Sequence, residues 1–368
     1  MHKPPDARVS TGAPSVYLHE RDSRMTLVTD PAAGAAANAR GSSDPRRRIS
    51  IALATYNGAR FLAPQLESYL SQTRLPDELV VCDDASTDDT PDQLARFAAR
   101  APFPVRIERN PTRLGSTKNF EKAISLCQGE LIATSDQDDR WLPAKLALTE
   151  AAFDIEPARG LVFSDAEVVD QELRPLGHSL WEAIQLGPLA RWRVRRGQAF
   201  EVLLRQWLVT GATMTFRAAY LPYVLPIPEN WIHDGWIAFI IGALAPVGVL
   251  DAVTVQYRQH SGQQIGGRKL SWRDLYAQAR SVGPEYFRMS YERFTIASER
   301  LRACAAHVRD PRYLELVQRK VAHQRRRLAI ARSSSRLEKV TWTIEELARG
   351  GYQRYAPATI HFFKDLLF

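Results

Sequence analysis

The chain has 368 residues, 45% of them apolar and 24% charged, with a formal net charge of +8 and a pI near 9.5. This apolar share supports a packed core and excludes a chain disordered throughout; the basic balance favours acidic partners, whether anionic lipid, nucleotide phosphate or nucleic acid. Cys82, Cys127 and Cys304 have no metal-ligand spacing and are odd in number, which points to reduced thiols and to the cytoplasm.

Residues 1–47 are rich in Ala, Gly, Ser, Pro and Arg without a sustained apolar period, and read as a flexible leader lacking a secretory h-region. The leader closes on Arg46-Arg47-Arg48, read as a solvated linker. Ile49 to Tyr56 then predicts a strand that breaks at Asn57-Gly58, and Phe61, Leu62, Leu66, Tyr69 and Leu70 recur at helical spacing. The pattern repeats. Glu78–Cys82 predicts a second strand, Thr87 or Asp88 a cap for a helix carrying Leu94, Phe97 and Ala98, Val105–Glu108 a third strand, Thr117–Cys127 a helix and Glu130–Ser135 a fourth strand.

Strands alternating with helices of this length predict an α/β domain over residues 48–268, Rossmann-like, with a mostly parallel sheet and helices on both faces. Gly160–Asp165 and Val209–Phe216 add two weaker strands, and the apolar run from Trp236 to Leu250, which holds Pro246, is too short to span a bilayer and reads as interior. Residues 269–368 predict a basic helical region. Tyr276, Ala279, Val282 and Tyr286 keep helical spacing, and Tyr313–Arg332 sets Arg319, Lys320 and Arg325-Arg326-Arg327 beside Leu314, Val317, Val321 and Leu328. Such a helix suits either a bundle with a solvated face or the surface of an anionic membrane, the latter placing the protein at the inner face of the cytoplasmic membrane.

In parallel sheets ligands bind beyond the carboxyl ends of the strands. Three polar clusters fall there: Thr55-Tyr56-Asn57, Asp83-Asp84 and Asp136 to Asp139. The last, Ser135-Asp136-Gln137-Asp138-Asp139-Arg140-Trp141, ends an apolar strand in three carboxylates, and suits either an acidic turn or Mg²⁺ or Mn²⁺ whose coordination is completed by substrate phosphates. Neither G-x-G-x-x-G nor G-x-x-x-x-G-K-[ST] is present, which excludes the dinucleotide fingerprint and the P-loop.

The segments ALATYNGARFLAPQLESYLSQT, VVCDDASTDDT, NPTRLGSTKNFEKAI and SDQDDRWLPAKL, followed by WIHDGW and YRQHSG, together resemble glycosyltransferase family 2, nucleotide-sugar transferases of GT-A fold. The ending GGYQRYAPATIHFFKDLLF is similar to that of bacterial rhamnosyltransferase-type members from surface-polysaccharide assembly, O-antigen included. The resemblance implies an inverting, metal-dependent transfer of a sugar from a dTDP- or UDP-sugar to a hydroxyl of a glycan or lipid-linked glycan. Thr55, Tyr56, Asn57, Asp83 and Asp84 would then border the nucleotide, with Asp83 accepting the pyrimidine N3–H, and Arg113 and Lys118 would face phosphate or base. Asp136 would approach the ribose, Asp138 and His260 the metal, Arg258 the sugar or its phosphates, and Asp139 would either orient the loop or reach the sugar. Asp234 would be the general base, with His233 beside it and Trp231 and Trp236 as an aromatic sugar platform.

Two other classes compete. A nucleotidyltransferase acting on a sugar phosphate shares carboxylate-bound Mg²⁺ but needs a Gly-rich phosphate loop, for which Thr55-Tyr56-Asn57-Gly58 is a poor substitute; a non-catalytic nucleotide-sugar-binding scaffold would lack Asp138 or Asp234, and both are present. Nucleic-acid binding has basic charge alone in its favour.

Overall fold

In β1 (Ile49–Thr55) the side chains on both faces are buried, so this strand needs cover above and below and lies in the middle of a sheet. The structure, a computed structural model, describes residues 46–260 and 283–356 together with Phe362, Asp365 and Leu366, all within one compact unit. β1 pairs in parallel with β2 (Glu78–Asp83) and β4 (Leu131–Ser135), and β2 pairs in parallel with β3 (Val105–Arg109). Between them run α1 (Ala59–Leu70), α2 (Thr90–Ala98) and α3 (Ser116–Leu126). The first half of the sheet is therefore the parallel α/β unit expected from the alternation.

The second half is mixed. The order is β3-β2-β1-β4-β8-β6-β9-β5, with β7 (Pro175–Ser179) paired to β6. β8 (Met214–Arg217) runs antiparallel to both β4 and β6 (Leu161–Val169), whereas β6 and β9 (Val247–Arg258) are parallel. The expected strand over 209–216 is shorter because Gly211–Thr213 form a 3-10 turn that leads directly into β8. β5 (Arg140–Trp141) pairs antiparallel with β9, just after the acidic loop and before α4 (Lys145–Ile155). That loop is thus fixed at both ends, by β4 before it and by β5 after it.

The helix α5 (His233–Leu244) is buried along its whole length, which makes the apolar run interior, as its composition implies. Each of its large side chains stabilises the fold by about 1.5–3 kcal/mol on burial. α5 contacts α6 (Pro284–Ala303), and α6 packs on α7 (Arg312–Arg332), which packs on α8 (Arg336–Ala348) and on the short helix Gly351–Tyr355.

Four expectations change or pass out of view. The cap of α2 is Asp89, while Asp88 accepts from the backbone N–H of Ala59 and of Thr90, the first residues of α1 and α2. The Arg46–Arg48 run is no free linker, since Arg47 is ion-paired with Asp154 and Arg48 donates to the Gln128 carbonyl at 3.0 Å. The basic face of α7 is partly internal: its buried stripe, spaced by three and four residues, continues through Lys320, His323 and Arg327. Lys320 donates to the Tyr355 carbonyl at 2.8 Å and Arg327 grips Asp365 through two bonds of 2.5 and 3.1 Å. The leader up to residue 45, the 268/269 boundary, the helical spacing of Tyr276, Ala279 and Val282, and part of the closing segment lie outside the described residues.

Candidate active site

The carboxyl ends of β1, β2 and β4 and the start of α5 meet around a cavity of about 560 Å³. Thr55, Tyr56, Asp84, Arg113, Asp136, Asp138, His233, Asp234 and His260, from six separate stretches of sequence, all line it.

Asp234 is the second residue of α5, 5% exposed, and its carboxylate is held by two backbone N–H groups, Gly211 at 2.9 Å to Oδ2 and Gly235 at 2.6 Å to Oδ1. Burial pushes its pKa up to about 6, against the pull of those two hydrogen bonds. His233 stacks on Phe120 with ring centroids 3.8 Å apart, and neither of its ring nitrogens has a hydrogen-bond partner among the described residues. Burial pushes its pKa down to about 3, so it is a neutral wall beside the carboxylate.

Asp136 and Asp138 open the acidic loop. Burial first, and then the charges of Asp138 and Asp234, push the Asp136 carboxyl well above the usual range. His260 Nε2 lies 2.7 Å from Asp138 Oδ2, and the imidazole packs on Phe61 with centroids 4.6 Å apart. The two residues are 122 positions apart in sequence and present one oxygen and one nitrogen donor to the same cavity. Among the described residues no cluster of three or more such side chains forms a metal centre. A divalent cation therefore fits here if the protein gives two ligands and a diphosphate with water gives the rest, which is how Mg²⁺ and Mn²⁺ are commonly held.

Behind this loop, Asp139 is fully buried, accepts from the Arg258 backbone N–H at 3.0 Å and has Oδ2 unpartnered among the described residues. Burial and the charges of Asp138 and Asp136 push its carboxyl well up. Arg258 donates to the Asp138 carbonyl at 2.6 Å and also binds the Gln171 carbonyl. Neither Asp139 nor Arg258 lines the cavity; together they hold the acidic loop rather than reach a sugar or phosphate.

On the β1–β2 side, the Arg113 guanidinium lies over the Tyr56 ring at 4.0 Å from its centroid, a cation–aromatic pair lining the cavity. Asp84 accepts from Leu114 N–H at 2.7 Å, Gly115 N–H at 2.9 Å and Asn110 Nδ2 at 2.9 Å, so one buried carboxylate shapes the loop that carries Arg113. The Asp83 carboxylate is 1% exposed, accepts from Thr55 Oγ1 at 2.9 Å and from both Ser86 groups, and stays behind the cavity. Asn57 is likewise turned into the turn that it makes: its backbone is in the left-handed region at φ 44°, and its side chain accepts from the Thr87 N–H.

Three further candidates stand away from the cavity. Lys118 is bound to Glu121 at 2.8 Å and to the Ile227 carbonyl at 2.7 Å. Trp231 and Trp236 are core residues whose indole N–H groups donate to the Arg293 and Val224 carbonyls. The aromatic walls are instead Tyr56, Phe120, Trp207 and Tyr257. Sequence reasoning also missed Gln137, whose amide bonds Tyr56 in both directions, and Asn119, which donates to the Cys82 carbonyl at 2.8 Å between the ends of β1 and β2. Asn119 stands in the NPTRLGSTKNFEKAI segment, so its place in a recognisable motif was the available signal.

Residues 50–218 match the family model described as Glycosyl transferase family 2. An uncharacterized protein of Mycobacterium tuberculosis H37Rv is 27% identical over 222 residues, covering 58% of this chain and 59% of the relative. An uncharacterized glycosyltransferase of Nostoc sp. is 27% identical over 220 residues, covering 58% of this chain and 65% of its own. The glucosyltransferase WfaP of Escherichia coli, whose name specifies UDP-Glc as donor, is 33% identical over 99 residues, 27% of this chain and 38% of that protein. The match to the mycobacterial relative thus spans 59% of that relative's length. Among solved structures, TarS of S. aureus superposes with a TM-score of 0.50 at 17% identity over 80% of this chain and 47% of that one, a likeness of fold. The matched segment ends before Asp234 and His260, which enter the site by geometry. Residues 50–218 are thus similar to glycosyl transferase family 2, within a GT-A-like fold followed by a helical C-terminal region.

Proposed function

We propose that the protein is an inverting, divalent-cation-dependent glycosyltransferase that moves a sugar from a nucleoside diphosphate to a hydroxyl of a glycan or lipid-linked glycan. The observation that carries this reading is one cavity lined both by the Asp138–His260 pair and by the buried carboxylate of Asp234. A cation held by Asp138 and His260 would supply Lewis-acid stabilisation of the charge on the departing diphosphate. Tyr56, Asp84 and Arg113 would bound the base and ribose.

Asp234 takes the proton of the acceptor hydroxyl as that oxygen bonds to the anomeric carbon, and the bond from that carbon to the diphosphate oxygen breaks on the opposite face. The electron pair leaves with the diphosphate and configuration inverts. A carboxylate with a pKa near 6 is ionised at neutral pH yet basic enough to accept a proton from an alcohol that acidifies during attack. Neutral His233 and the wall of Phe120 keep water away from it.

The donor range is proposed as UDP- or dTDP-sugars, rhamnose among them, from the motif resemblance and from the donor in the WfaP name. The acceptor range extends to surface polysaccharide precursors at the cytoplasmic membrane; among the described residues no helix is long and apolar enough to cross it. A transfer and hydrolysis screen over UDP-, dTDP- and GDP-sugars with Mg²⁺ or Mn²⁺ tests the reading. Sugar release from a donor, dependent on added metal and with inverted configuration by NMR, is the expected result. Metal-independent release, or retention at the anomeric carbon, overturns the mechanism.

A further inference from the structure

A second cavity, of about 580 Å³, opens between α7, α8 and the short helix Gly351–Tyr355, and shares no lining residue with the first. Five guanidinium groups border it: Arg319, Arg325 and Arg326 from α7, Arg349 just past α8, and Arg354 from the short helix. Glu315 pairs with Arg319 at 2.5 Å, and Glu345 is shared by Arg326 at 3.5 Å and Arg349 at 3.8 Å. Arg325 and Arg354 have no carboxylate partner among the described residues. The one carboxylate among the lining residues, Glu346, is already bound to His323 Nδ1 at 2.6 Å. Positive charge is therefore in excess around a concave surface, where like charges repel and an anion would relieve them.

The floor of this cavity gives an independent sign of a ligand. His323 is 1% exposed and Tyr355 4% exposed, and both line it. His323 Nε2 and Tyr355 Oη are buried with no hydrogen-bond partner among the described residues. A buried polar atom left unmatched costs about 1–3 kcal/mol, so two of them under a ring of arginines ask for a polar guest. With Nδ1 committed to Glu346, Nε2 is the ring atom left for it, accepting from a P–OH or, when protonated, donating to a phosphoryl oxygen. Tyr355 can donate its hydroxyl proton, and the planar arginines can grip the remaining oxygens in pairs. Trp342, with Arg326 5.7 Å from its ring centroid, adds an apolar edge that bare inorganic phosphate would not need.

We infer that this cavity is a binding site for a phosphate or diphosphate group, with His323 and Tyr355 at its base and Arg325 and Arg354 as the unpaired cations at its rim. It is separate from the donor site, and it gives the helical region a ligand of its own whether or not the transfer reaction proposed above is correct. The same chemistry belongs to a free phosphorylated molecule and to a lipid phosphate headgroup.

The test uses the full chain in EDTA, so that no cation assists binding at Asp138. One arm titrates pyrophosphate by calorimetry; the other measures sedimentation with phosphatidylcholine vesicles with and without phosphatidic acid. The proteins are the native chain, Arg325→Ala/Arg354→Ala at two exposed positions, Tyr355→Phe to remove one buried hydroxyl, and Arg113→Ala as a control at the other cavity, each checked by circular dichroism. Saturable binding in either arm, weakened roughly tenfold or more by the double arginine variant, weakened by Tyr355→Phe and unchanged by Arg113→Ala, is expected. Binding of pyrophosphate identifies a free ligand, and binding of phosphatidic acid vesicles alone identifies a headgroup. Absence of saturable binding in both arms overturns the inference, as does binding that the double variant retains or that Arg113→Ala removes.

Discussion

The N–H of Gly211 donates to Asp234 Oδ2 at 2.9 Å, and the same glycine leaves room for the His233 ring: a Cβ there would meet His233 Nε2 at 2.7 Å. A residue of the 3-10 turn thus sets the aim of a carboxylate that belongs to α5. If that carboxylate is the base, Asp234→Asn keeps the size and removes the proton acceptor. Its kcat should fall by about 10²–10⁴-fold with nucleotide affinity unchanged. A folded Asp234→Asn protein that turns over within a few-fold of native would move the base elsewhere.

The pH profile follows from the same residue. Burial raises the Asp234 pKa to about 6, so the base is ionised above that pH and protonated below it. The acceptor kcat/KM should be level from pH 7 upward until another group titrates, and should drop about tenfold per pH unit below 6. An acid limb centred near 4, the value of an ordinary carboxyl, would contradict a desolvated base.

Gly211→Ala tests the positioning rather than the chemistry. His233 is stacked on Phe120 and cannot retreat freely, so the added methyl should displace His233 and Asp234 together. Displacements of this size cost roughly 10–10²-fold in turnover. Measured kcat should fall while UDP affinity and far-UV circular dichroism stay native; an unchanged kcat would show that the turn does not aim the base.

For the cation, UDP affinity measured by calorimetry should rise on addition of Mn²⁺ in the native chain. Asp138→Asn should abolish that rise, and His260→Ala should reduce it, because the protein side of the proposed coordination consists of these two groups. If Asp138→Asn responds to Mn²⁺ like the native chain, the cation is held elsewhere.

The C-terminal helices carry a stability prediction. Arg327 and Asp365 are 5% and 3% exposed, and Tyr352 also donates to Asp365 at 2.8 Å. Arg327→Ala leaves a buried carboxylate without its cation, for which about 3–5 kcal/mol is the usual cost. Urea unfolding should show the midpoint move accordingly; a loss below about 1 kcal/mol would mean that water reaches Asp365 in the variant.

The strands and the acidic clusters at their ends were readable because both are local: alternation and runs of Val, Ile and Leu mark a buried strand, and a carboxylate after it marks the sheet edge. The mixed second half was not, since the direction of β8 depends on a turn at Gly211–Thr213 rather than on its own residues. Asp234 was found through its motif, but its flanking tryptophans were misassigned. They lie around a helix start, where successive side chains diverge by about 100°, so an acid facing the cavity leaves Trp236 facing the core. Asp83 and Asp84 show the same limit on adjacent positions of an extended chain: one turns behind the cavity and the next into it.

Gln137 gives its amide oxygen to the Tyr56 N–H at 2.8 Å and its amide nitrogen to the Tyr56 carbonyl at 3.0 Å, lying where a Cβ on Gly58 would be 2.2 Å from it. The side chain thereby impersonates a peptide unit and extends the β1–β4 ladder one rung past the ends of both strands. Among the twenty side chains only two carry the carboxamide that sets a donor and an acceptor side by side as a peptide does, and asparagine is a methylene too short. A glutamate here could satisfy the Tyr56 N–H but not its carbonyl, so a change of one atom, from nitrogen to oxygen, would unfasten the lip of the cavity that Tyr56 and Arg113 form.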